Sequence, residues 1–160
     1  PAPAKVRGAS QLGQAPRRDN PELTSVTLRS RLYIGICEYD RGIRQNNPTN
    51  FASAIAAFQD VIREQPNNLD ARLRLAMALR RDNRSDEDIS ILEDMRKALG
   101  HSGESADKAI LAEVHLQLAD ISLKDPKHRN PMSVHFHLQQ FVDLIRDPSH
   151  PALAPARKHL

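Results

Sequence analysis

A chain of 160 residues, 39% hydrophobic and 27% charged, has the size and apolar content of one folded domain. Its net charge of +3 is too small to mark a nucleic-acid binder by composition alone. The mean hydropathy of -0.56, with no run of roughly eighteen apolar residues, excludes a membrane span. Cys37 is the only cysteine, so no intrachain disulfide forms; an intracellular setting, cytoplasmic or nuclear, is expected. The chain opens on Pro1, which reads as a processed or trimmed start.

Residues 1–21 are rich in Pro, Ala, Gly and Arg with no periodic face, and read as an extended, flexible tail. A first helix is expected from about residue 22, with Val26, Leu28, Leu32, Tyr33, Ile36, Cys37 and Ile43 on a buried face and Cys37 as a core thiol. Residues 46–50 form a polar turn, and Asn50 is the expected cap of a second helix carrying Phe51, Ala54, Ile55, Phe58, Val61 and Ile62. Pro66, with Asn67 and Asn68, ends it.

A third helix is expected from Leu69, with Ala71, Leu75, Ala76 and Leu79 inward and Leu73 and Met77 on a broader face. Asn83 breaks it. Ser85 with Asp88 three residues on reads as a capping box for a fourth helix through Ile89, Leu92, Met95 and Leu99. Ser105 caps a fifth, through Val114 and Leu118. Residues 125–131 break the chain before a sixth through Val134, Leu138 and Phe141. Residues 148–160 are a C-terminal extension or the start of a truncated seventh helix at Pro155. The organisation is therefore all-α over 22–147, in hairpins 22–65, 69–99 and 105–147.

Spacing adds a repeat. Ala54 to Asp88 and Phe58 to Leu92 are both 34 residues apart, while Gly35 to Ala76 is 41, a seven-residue insertion assigned to the stretch between the helices of the first hairpin. Leu75, Ala76, Leu79 and Leu92 in one unit, and Gly35, Ala54 and Phe58 in the other, fall in the small and bulky positions of a helix hairpin, with Pro66 at its terminating position. On these residues the chain resembles the tetratricopeptide repeat (TPR) family, with two good repeats and a degenerate third. Asp88 departs from the family's usual Ala, and Gly42 is matched to Asn83 at the turn.

The resemblance implies a right-handed α-solenoid of antiparallel hairpins, a non-catalytic scaffold or adaptor. A protein or peptide segment of the partner would lie in a concave groove lined by the first helix of each pair. The residues that would face it are Leu32, Ile36, Arg72, Leu73, Arg74, Met77, Arg80 and Arg81. Arginine forks match carboxylates, so an acidic segment within a larger complex is expected. Leu32 and Ile36 stand where a chaperone-tail clamp would need Lys and Asn. The alternative is a nucleic-acid-associated subunit contacting phosphates through Arg17, Arg18, Arg72, Arg80, Arg81 and Arg84. Asp82, Asp86, Glu87 and Asp88 dilute that patch, and stacking aromatics are few. No Gly-rich phosphate loop, HExxH motif or cysteine pair is present, so no catalytic residue, cofactor, metal or small-molecule substrate is expected. His115 and His137 read as surface or interface residues.

Overall fold

Turn residues set the helix ends. The computed structural model describes residues 21–145 and 147–160. The expected tail, and Arg17 and Arg18 with it, lies outside them apart from residue 21. The described residues form seven α-helices and no strand: α1 Pro21–Gln45, α2 Pro48–Glu64, α3 Leu69–Arg81, α4 Ser85–Leu99, α5 Ser105–Lys124, α6 Pro131–Leu144 and α7 Leu153–Lys158. Each helix packs chiefly on its sequence neighbours.

The α1–α2 and α3–α4 turns are closed in the same way. Asn46 (φ 47°) and Asn83 (φ 60°) take the left-handed conformation, which Asn tolerates better than most residues. In each case the next amide reaches back five residues, Asn47 to the Gly42 carbonyl at 3.1 Å and Arg84 to the Leu79 carbonyl at 2.9 Å. Asn46, not Gly42, is thus the counterpart of Asn83. Gly42 lies inside α1. On the register that pairs Gly35 with Ala76, the seven-residue insertion divides into four residues before Asn46 and three after it. The first four add about one helical turn to α1.

Several expected caps are replaced. Asn47, not Asn50, caps α2 by accepting from the Thr49 amide at 3.1 Å. Asn50 instead donates to Glu38 at 2.5 Å and ties α2 to α1. Ser85 and Ser105 are the first residues of α4 and α5, whose N-termini carry no side-chain cap bond. Asp88 turns into the interior. Asn68 and Asn130 cap α3 and α6 through their side-chain oxygens. Helix α7 starts at Leu153, two residues before the expected Pro155.

The interior falls into three apolar clusters. Ala54, Ile55, Phe58, Leu75, Ala78 and Leu79 join α2 to α3, with Leu32 and Ile36 of α1 half-buried against them. Ala76, Leu92, Met95, Val114 and Leu118 join α3, α4 and α5. Ala112, Ala119, Leu138, Phe141, Leu153 and Ala156 join α5, α6 and α7. Pro66 is exposed in the α2–α3 turn.

Helix α1 corrects the expected buried face. Its buried line is Leu28, Gly35 and Gly42, at a spacing of seven. Val26, Tyr33, Ile34 and Ile43 are exposed, and so is Cys37, which is therefore not a core thiol. The cause is one-sided packing: α1 rests on α2 and touches α3 only slightly.

Candidate functional site

Helices α3 and α5, with the turns after each, enclose an open groove of about 1020 Å³. Met77, Leu116 and Ile121 give it apolar surface, and Tyr39 reaches it from α1. Of the eight residues expected to face a partner, Met77, Arg80 and Arg81 line this groove. The other five lie elsewhere. Leu32 and Ile36 pack on the α2–α3 cluster, and Leu73 packs on the α3–α4–α5 cluster. Arg74 is paired with Asp70 at 2.9 Å, and Arg72 lies outside the groove lining.

Arg80 forms the groove's fixed point. Its guanidinium donates from Nε to Asp88 Oδ2 at 2.8 Å, from Nη1 to Asp120 Oδ2 at 3.1 Å and from Nη2 to Gln117 Oε1 at 2.6 Å. One side chain of α3 thereby holds α4 and α5. The planar fork of arginine suits this three-way grip; a lysine ammonium would not supply the same geometry. Asp88 is fully buried, and its Oδ1 has no hydrogen-bond partner. Burial pushes the Asp88 carboxyl up to about 6, against the pull of Arg80. The residue that departs from the repeat pattern is thus matched by an arginine from the preceding helix.

A second set of charges closes the turn end of the groove. Asp86 at the start of α4 accepts from Lys127 Nζ at 2.5 Å and lies 2.9 Å from His128 Nε2. His128 Nδ1 meets Asp125 Oδ2 at 3.0 Å. Hydrogen bonds from His128 and Ser85 hold the Asp125 carboxyl down at about 2. Arg84 grips Glu87 through two bonds of 2.7 Å, which raises the arginine and lowers the carboxyl. Lys124 pairs with Asp120 at 2.5 Å. Among the described cations of the groove, Arg81 alone is without a bonded acid; it is exposed.

His115 and His137 correct the surface expectation. Both are buried, on α5 and α6, and their rings face each other. The separation of 22 residues and the intervening turn left no spacing signal for the pairing. Among the described residues, no group of three or more His, Cys, Asp or Glu side chains is arranged to hold a metal ion. No helix among them is long and apolar enough to cross a membrane.

No protein-family model, curated protein or solved structure matches this chain.

Proposed function

We propose that this chain is a non-catalytic, TPR-like scaffold within a larger assembly, a right-handed stack of helix hairpins whose α3–α5 groove holds an acidic, partly apolar segment of a protein partner. The observation that carries this reading is the groove itself. It offers Met77, Leu116 and Ile121 as an apolar floor beside one exposed, unpaired guanidinium, Arg81. A carboxylate meeting Arg81 forms a charge-assisted bond without first displacing an internal acid. Apolar side chains on either side of it fit the floor, the arrangement in which a few buried anchors carry most of the affinity.

The neighbour-by-neighbour packing of the helices and the shared Asn-closed turns support the repeat reading. The phosphate-binding alternative is less well supported. Of the described arginines it invokes, Arg80 and Arg84 are engaged by Asp88 and Glu87, and Arg72 lies outside the groove lining. Arg17 and Arg18 lie outside the described residues.

The test is selection from a random dodecapeptide display library, followed by affinities of the enriched peptides for the wild type, R81E and M77E. The reading expects enrichment of Asp or Glu beside Leu, Ile or Phe. It also expects losses of about tenfold or more in each variant. Enriched peptides that bind all three proteins equally contradict it. Steeply salt-dependent binding to random DNA would favour the phosphate alternative.

A further inference from the structure

Helices α5 and α6 meet through two imidazoles. His115 Nδ1 and His137 Nδ1 lie 2.9 Å apart, between residues that are 4% and 7% exposed. At that distance one ring is the Nδ1–H donor and the other presents a bare Nδ1. Phe136 meets both rings edge-on, with centroids 6.1 Å and 5.1 Å away. The charged groups acting on the pair are Glu93 and Arg96 of α4. These two are bonded to each other at 2.8 Å, so their fields largely offset.

The surrounding packing makes this contact a joint. One side of α5 belongs to the cluster it shares with α3 and α4, the other to the cluster it shares with α6 and α7. Helices α6 and α7 are therefore held to the stack through α5. Near the far end of the α5–α6 contact a Ser122–Ser133 hydroxyl pair at 3.0 Å adds a neutral bond.

We propose that the His115–His137 pair is a proton-operated latch that holds α6 and α7 on α5 when both rings are neutral and releases them in acid. The balance of protons is explicit. The first added proton goes to the free Nε2 of the donor ring; the Nδ1–H···Nδ1 bond survives, but a cation now sits in an apolar contact. The second goes to the accepting Nδ1. Two N–H donors and two like charges then face each other at 2.9 Å, and the bond is lost. Burial holds His115 down to about 4 and lowers His137, so release falls on the acid side of the ordinary histidine range. Release uncovers the face of α5 that Leu138 and Phe141 now cover.

The test uses the intact chain. Amide exchange is measured from about pH 7 to pH 4 and corrected for intrinsic rates, in the wild type and in the double variant H115L/H137L. Replacing both partners by apolar residues leaves no unpaired donor. The latch expects protection over 131–158 to fall about tenfold or more in acid in the wild type, with 51–79 held within about twofold. The double variant keeps its protection throughout. Ring ¹⁵N spectra of the wild type provide a second readout, independent of any variant's folding. They should show one Nδ1–H and one Nε2–H tautomer, both neutral near pH 7. Uniform loss of protection along the chain, or two rings titrating together near 6.5, would overturn the latch.

Discussion

The ring of Phe58 stands where a side chain on Gly35 would begin: a Cβ there would lie 2.6 Å from the ring edge. Gly42 repeats the relation against Phe51 at 2.7 Å. The two glycines, seven residues apart on α1, let that helix settle on the aromatic rings of α2. Phe58 is 1% exposed and cannot swing clear without disturbing the α2–α3 cluster. G35A gains about 1 kcal/mol in helix propensity but meets an overpacking cost of about 1–3 kcal/mol. The expected net is a loss of about 1 kcal/mol, read as a lower urea midpoint with an unchanged slope. G103A, with nothing within 4 Å of its Cβ, should leave the midpoint within about 0.5 kcal/mol of the wild type.

Arg80 and Asp88 should prove unequal when removed singly. R80A strands a fully buried carboxylate and is expected to cost about 3–5 kcal/mol. D88A leaves Arg80 with Asp120 and Gln117 and should cost markedly less. The double variant should recover much of the R80A loss. A thermodynamic cycle in urea gives the coupling, expected between about 0.5 and 3 kcal/mol.

The same aspartate and His115 impose opposite pH slopes. The folded chain keeps a proton on Asp88 up to about 6, against an ordinary 3.8, so the stability it contributes is lost as pH rises through that interval. His115 stays neutral down to about 4, against an ordinary 6.5, so its contribution is lost as pH falls through the overlapping interval. At roughly 1.4 kcal/mol per pKa unit, each effect is at most about 3–4 kcal/mol. In the wild type the two slopes oppose each other. D88N should lose stability faster from pH 6.5 to 4, whereas H115L/H137L should gain stability as pH falls from 6 to 4. Urea midpoints at three pH values distinguish the two slopes.

The helices were legible because their ends carry chemistry. Asn47-Pro48, Gln65-Pro66, Asn83 and Asn130-Pro131 each stop a turn or open one. The inward face of α1 was not legible, because apolar residues encircle that helix and periodicity cannot say which line meets α2. Gly35 and Gly42 mark the line, but only once their seven-residue spacing is set against the rings of α2. Asp88 resembled a cap because Ser85 precedes it by three; its burial depends on Arg80, which belongs to another helix. The His115–His137 pair and the groove share that obstacle. Each is made by side chains from different helices, and spacing along one helix carries no information about the helix opposite.

The central claim, that a partner segment lies between α3 and α5, is tested most directly through the three methionines. Met77 lines the groove, Met95 is fully buried in the core, and Met132 is 78% exposed on α6. With ¹³C-labelled methionine methyls, a library-selected acidic peptide should shift Met77 on titration. Met95 and Met132 should stay in place. A shift at Met132 with Met77 unmoved would put the binding surface on another face and contradict the account.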